Sequence, residues 1–532
     1  MKIPAVEKTY LICAAALFLA AGCIIFNGKQ GSLFELYDFG EHVASIRELS
    51  ENIVAPGNPL IADEKPTLRY TPYIFLLAVV VKCTPITVLW VVKLAALVNV
   101  LVFLSGIYLW AKTYFDDEHM PVYVLITFLF LWGKPFGYSN EYSLRFLSYT
   151  AFYPSITAFS LGFFGLFALQ RAMSCTKKRY YGGYLLLTVF VFLTHPLTAS
   201  FYLLCSFFII LSRSTARVLH LGLYFSGCAA AVIIACVWPY YPFGDALLKS
   251  TTTPWYDFKG YLYELKNIIR IGPAFLGVPV ILFFLVKRRY FFIVCGFAVS
   301  VLIYAVGGLL DIYLLDRYVF FCVFFMHLGL AWLLRRLGLL SVSEIRSTIA
   351  KGPAGTAATV ALGIVVLGSI CYQAAKVGCE QAGYEINFTR RPMVHRYNDP
   401  LPQYRRLAGV LEAGNIVLSD PLTSWLIPAF TGAKIVALYH NNPMVADNDV
   451  RRRDSRRFYQ LDTALPERRH ILQKHSVTHV LINRYRMQDS YVNRVRDYYV
   501  HYTVSEGLIN DMKALGSVVF ENGDMVLFAL NR

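Results

Sequence analysis

The sequence predicts a mainly α-helical protein: a polytopic transmembrane bundle of about eleven spans, N-in and C-out, with a C-terminal extracytoplasmic α/β domain. Three observations predict it. Apolar residues make up 56% of the 532-residue chain and charged residues only 16%, and the mean hydropathy is +0.49. That composition lacks the polar surface a water-soluble chain of this length needs. Apolar runs near the length of a membrane crossing recur through residues 1–372. Beyond 372 the pattern changes to short strand-like and helix-like segments, which suits a small α/β domain.

Eight runs reach or approach the roughly 20 residues that a spanning helix needs: 9–26, 86–111, 121–137, 155–173, 218–238, 291–310, 313–334 and 356–372. Three shorter ones, 181–195, 198–212 and 271–286, complete the set. The run 72–82, "PYIFLLAVVVK", is too short to cross and reads as an interfacial helix. Basic clusters fix the direction of the chain. Lys177-Lys178-Arg179, Arg213 with Arg217, Lys287-Arg288-Arg289 and Arg335-Arg336 all fall on the cytoplasmic side if the amino terminus is inside. Counting 72–82 as a span would move all four outside. Three segments then face outward: 27–85, 239–270 and everything after 373. The domains expected are 1–372, membrane-embedded and carrying external loop 27–85, and 373–532, the external α/β domain.

In the tail, "NIVLSD", "AKIVALY", "VTHVLIN" and "SVVFENGDMVLFAL" have strand character. "PLTSWLIPAFTG", "RRDSRRFYQL" and "PERRHILQKH" read as helices between them. The net charge of +16 reports topology in a membrane protein, and nucleic acid is not an expected partner. The 11 cysteines sit mostly in apolar runs with no CxxC pair, so they act as small hydrophobes and no zinc or redox framework is implied. No phosphate-binding GxxxxGK[ST] loop, GxSxG elbow or HExxH helix occurs. The letters "DFG" at 38–40 come without the other parts of a kinase.

The titratable residues concentrate on the outward side. In "ELYDFGEHVASIRELSEN" (35–52), Asp38, Glu41 and His42 lie within five residues of one another, just after the first span. Asp38 and His42 are four apart and share a helical face. Val43, Ile46, Leu49 and Ile53 recur at helical spacing, as in a short amphipathic helix resting on the membrane. Such a group of acids and imidazole suits proton abstraction from a hydroxyl, or a divalent cation if one is used. A solvated loop with ordinary surface charges is the plain alternative. Further candidates lining a cavity are Glu141, His195, Asp311 and Asp316, with Arg69, Arg145 and Arg317 suited to phosphate by their planar donor forks. Ionisable groups at membrane depth are costly and tend to face a cavity or a partner. For His195 capping a helix is an equal alternative, and Asp316 and Arg317 can pair with each other.

In this order the chain resembles the GT-C superfamily of polytopic membrane glycosyltransferases. One span leads to an external loop opening with "YDFGEH"; "RYTPYIFLLAVVVK", further spans and an α/β tail containing "VLSDPLTSWLIPAFTGAKIVALYHNNP" follow. The WWDYG signature of the oligosaccharyltransferase catalytic subunit is missing. The resemblance implies a polyprenyl-phosphate-linked sugar donor, a glycan, lipid or protein acceptor, and a site facing away from the cytosol, at a bacterial inner membrane. It implies a single inverting displacement with Asp38 as base, Glu41 second, His42 orienting or ligating, and no cofactor beyond a possible divalent metal. A lipid transporter or flippase, or a non-catalytic assembly subunit, would also be polytopic. The absence of internal repeats and the clustering of charge at one face favour the enzyme.

Overall fold

The protein is described by a computed structural model that covers residues 5–27, 38–63, 67–134, 136, 138–175, 177–240, 243–244, 261–339, 353–381, 384–386, 394–396, 401–439, 445–483, 506–523 and 525–531. It forms two compact units. The first is built from Met1–Phe34, Lys93–Val237 and Phe258–Tyr397, the second from Glu35–Val92, Trp238–Asp257 and Asn398–Arg532.

All eleven segments expected as spans contain helix. Among the described residues nine helices are long and apolar enough to cross a membrane, from Glu7–Phe26 to Thr359–Gln381. Lys178–Thr194 has 17 residues. The expected span 121–137 is corrected: its helix, Met120–Phe130, has only 11 residues. The cause is Gly133, whose backbone lies so close to Arg270 that any Cβ would overlap the Arg270 carbonyl. Leaving the helix exposes backbone polar groups that need partners in lipid. Gly133 N–H donates to Ile271 O at 3.1 Å. The Gln373 side-chain amide donates to Trp132 O and Gly133 O at 2.9 and 3.1 Å. The helix that supplies Gln373, Pro353–Gln381, runs unbroken through the expected domain boundary at 372/373. The first unit also holds an antiparallel pair, β1 (Tyr384–Ile386) and β2 (Val394–Arg396).

The second unit contains the tail sheet: β3 (Ile416–Leu418), β4 (Lys434–Ile435), β5 (His479–Asn483), β6 (Gly516–Asn522) and β7 (Met525–Leu530), in the order β4-β3-β5-β7-β6. β3 pairs parallel with β4 and β5, and β7 pairs antiparallel with β5 and β6. The strands lie where the sequence places them. Leu481 and Ile482 of central β5 are fully buried, as expected for a strand covered on both faces. Phe458, Ile471, Leu508 and Met512 from flanking helices close the core over Leu418, Val480 and Phe528. The edge of β4 is covered by the external loop. Ile435 N–H donates to Leu60 O at 2.7 Å, which satisfies an edge group that would otherwise invite foreign pairing.

The helix expected in residues 35–52 spans Phe39–Glu51. Its apolar positions Val43, Ile46 and Leu49 are fully buried within the protein, so this stripe does not rest on a lipid surface. Each such side chain contributes about 1.5–3 kcal/mol on burial. Ile53 lies beyond the helix end and is only partly buried.

Candidate functional site

The titratable group of the second unit is positioned by two short stretches. "RYTPY" starts the second of its helices, Pro72–Cys83. Thr71 is the N-cap, its side chain accepting from Ile74 N–H, and Pro72 takes the first helical position, where a missing N–H costs nothing. Upstream, Tyr70 N–H reaches Thr67 O at 3.4 Å and Thr71 N–H reaches Arg69 O at 2.8 Å, which makes a tight turn. Tyr70 anchors it: its hydroxyl donates to Gly57 O at 2.6 Å and its carbonyl accepts from Trp238 Nε1 at 2.9 Å. Arg69 is thereby held against the first turn of Phe39–Glu51.

There Arg69 Nη2 donates to Glu41 Oε2 at 2.6 Å and lies 3.8 Å from Asp38 Oδ2. The expected phosphate ligand is therefore engaged by the acids themselves. The two carboxylates differ. Glu41 keeps 7% of its side-chain exposure, Asp38 22%. Asp38 sits at the N-cap position yet its side chain makes no capping hydrogen bond. His42 is buried, its backbone N–H closing the first helical bond to Asp38 O at 3.0 Å. Among the described residues no three His, Cys, Asp or Glu side chains are grouped as a metal site would need.

Further along this helix Glu48 takes a salt bridge from Lys434 at 2.7 Å. Burial would raise its carboxyl. The Lys434 ammonium, the Asn52 amide and the Gly57 N–H outweigh that and hold it below the ordinary carboxylate value.

The first unit gathers a different set. Glu141 accepts from Phe136 N–H at 2.8 Å and Ser143 Oγ at 2.6 Å, so it fastens its own loop. On that loop the Phe136 ring faces the Arg270 guanidinium at 4.8 Å and the Tyr138 ring faces Arg317 at 4.0 Å. Stacking engages the guanidinium face and leaves the donor edge directed in plane. Arg317 Nε also lies 3.2 Å from Asp316 Oδ1, whose side chain is fully buried. Arg145 Nε donates to Glu380 Oε2 at 3.1 Å, and Lys376 Nζ lies 3.4 Å from Glu380 Oε1. His195 is the N-cap of Pro196–Arg213, its Nδ1 accepting from Thr198 N–H at 3.2 Å. Asp311 is exposed in a left-handed backbone conformation, φ 52°.

Arg270, Lys376 and Glu380 are the members of this set that sequence reasoning missed. A signal existed: Lys376 and Glu380, i and i+4 on an apolar helix, are costly at membrane depth unless partnered. Ending the span at 372 hid it.

The helical unit with this loop and the small mixed sheet of the other unit have the fold seen in solved membrane glycosyltransferases of GT-C type. Solved structures that share it include three. The chain matches ArnT from Cupriavidus metallidurans in the apo state at TM-score 0.55 and 10% identity, covering 99% of this chain and 98% of that one. It matches the apo oligosaccharyltransferase of Archaeoglobus fulgidus at TM-score 0.54 and 11% identity, covering 98% and 74%. It matches the arabinofuranosyltransferase AftD from Mycobacteria at TM-score 0.55 and 11% identity, covering 98% and 40%. At these identities the likeness is one of fold. No family model matches the chain, and neither does any curated protein.

Proposed function

We propose that the protein is a membrane glycosyltransferase that moves a sugar from a polyprenyl-phosphate donor to an acceptor hydroxyl on the extracytoplasmic face. Asp38 is the base. The observation that carries this is the unequal exposure of the two acids: Arg69 lies 2.6 Å from Glu41 and 3.8 Å from Asp38, and Asp38, at a helix N-terminus, keeps the more exposed carboxylate. In the proposed reaction Asp38 takes the proton of the acceptor hydroxyl as its oxygen bonds to the anomeric carbon. The bond from that carbon to the donor phosphate breaks with inversion, and polyprenyl phosphate leaves with the electron pair. A positioned base contributes about 10²–10⁴-fold. Within the first unit, Arg145 and Arg317, with Arg270 and Lys376, are cations of the kind suited to a phosphate. Arg69 serves instead to hold Glu41. The GT-C fold supports this reading, and one structure of the A. fulgidus oligosaccharyltransferase, matched at TM-score 0.52, is tethered with an acceptor peptide.

The test is turnover by the purified protein in proteoliposomes, using synthetic polyprenyl-phosphate sugars carrying a radiolabel. Transfer of label with release of polyprenyl phosphate is the expected result. Movement of labelled lipid between leaflets without cleavage of the sugar–phosphate bond would overturn it in favour of a flippase.

A further inference from the structure

We infer that the C-terminal α/β domain seats the helix that carries Asp38, with Gly40 and Arg47 as positioning residues; this rests on Asp38 being the base.

Gly40 lies two residues from Asp38 and one from Glu41. A Cβ at this position would stand 2.9 Å from Trp425 O, 3.2 Å from Leu426 Cδ2 and 3.5 Å from Trp425 Cδ1. The first distance is shorter than a carbon and a backbone oxygen tolerate, and a carbonyl inside a packed segment has little room to yield. The absence of a side chain therefore lets the first helical turn lie directly on the Trp425 backbone. That backbone is fixed in turn. Asp420 caps the short helix Pro421–Ser424 just before it, its Oδ1 accepting from Thr423 N–H at 2.9 Å. The Tyr404 hydroxyl donates to Thr423 O at 2.7 Å. The buried Trp425 ring packs on Tyr439, with centroids 5.7 Å apart.

Two turns further on, Arg47 Nη2 donates to Ala429 O at 3.2 Å and Phe430 O at 3.4 Å. These carbonyls close the helix Ile427–Thr431, which ends at Gly432 with φ 80°. A cation there satisfies carbonyls that the helix end leaves over and complements its negative pole. Gly40 and Arg47 are seven residues apart, so at about 100° per residue they lie within about 20° of one stripe. Asp38 lies about 160° around the helix from Gly40. One stripe thus registers the helix on the α/β domain while the opposite side presents the acid. This makes the tail part of the catalytic geometry instead of an appendage, because displacing a reacting group by about 1 Å can cost about 10²-fold in rate.

The experiment compares Gly40→Ala, Arg47→Lys and Arg47→Gln with the unaltered full-length protein in the sugar-transfer assay, alongside thermal melting and Asp38→Asn. Gly40→Ala is expected to lower kcat per folded molecule at least tenfold with donor KM within twofold, beside a lower melting temperature from the clash with Trp425 O. Arg47→Gln is expected to lower kcat similarly, and Arg47→Lys to recover a substantial part, because a lysine can still reach one carbonyl. Unchanged kcat in both Gly40→Ala and Arg47→Gln would overturn the positioning role while leaving the base assignment intact. Loss of kcat only in proportion to lost folded protein would also overturn it. If Asp38→Asn itself keeps full turnover, the base reading fails, and the inference falls with it. Should Gly40→Ala not fold, the pair of Arg47 variants decides.

Discussion

Removing the Arg69 guanidinium should destabilise the second unit, chiefly through its contact with Glu41. In Arg69→Gln, the Glu41 side chain, 7% exposed, loses its 2.6 Å partner. With an effective dielectric constant near 20, the attraction at that distance is about 6 kcal/mol, and the 3.8 Å approach to Asp38 adds roughly 4 kcal/mol. Most of this is offset by the cost of taking the charges out of water. Breaking a buried pair from one side typically costs about 3–5 kcal/mol. Arg69 retains 24% of its exposure, and water there screens the pair, so the expected loss is about 2–3 kcal/mol. The assay is a double-mutant cycle of Arg69→Gln, Glu41→Gln and the double variant, read as denaturant-induced unfolding of the purified protein. The double variant should be more stable than the sum of the single losses implies, with a coupling of about 2 kcal/mol. A coupling below about 0.5 kcal/mol would mean that Arg69 does not hold Glu41.

Two further outcomes follow from the same geometry. Glu48 has its folded-state pKa lowered, so its contribution is complete above the ordinary carboxylate range and is lost as the pH falls through the folded value. Hydrogen exchange of residues 39–51 should therefore quicken on acidification to about pH 3, and Glu48→Gln should flatten that response; a pH response identical in the variant would rule Glu48 out as its source. His195→Ala should cost about 1 kcal/mol as a lost cap and leave kcat unchanged, with His195→Asp recovering stability. A dead but fully stable His195→Ala protein would instead make His195 part of the chemistry.

The elements were readable because their signals are local. Apolar length marked the spanning helices, and alternation with turn residues marked the strands β3 to β7, while the short pair β1 and β2 carried no such signal. Met120–Phe130 was read too long because hydropathy continues through Leu131 and Trp132, whereas the helix stops for the packing of Gly133 on Arg270, 137 residues away. The acidic helix was legible in position and period, but not in its surroundings. The stripe of Val43, Ile46 and Leu49 looks the same whether it meets lipid or protein. At the site, Asp38 and Glu41 stood out by density of charge. Which of them Arg69 would claim did not, because that depends on a turn anchored by Tyr70 to Gly57 and Trp238. Arg145 with Glu380 is a contact across 235 positions, and no local pattern announces it.

The most direct measurement is the single-turnover rate of sugar transfer by Asp38→Asn and Glu41→Gln, each at saturating donor and matched for folded protein. Asp38→Asn should fall about 10²–10⁴-fold, equivalent to about 2.7–5.5 kcal/mol in the barrier, while Glu41→Gln retains measurable transfer. Transfer at the unaltered rate by Asp38→Asn would contradict the assignment of Asp38 as the base.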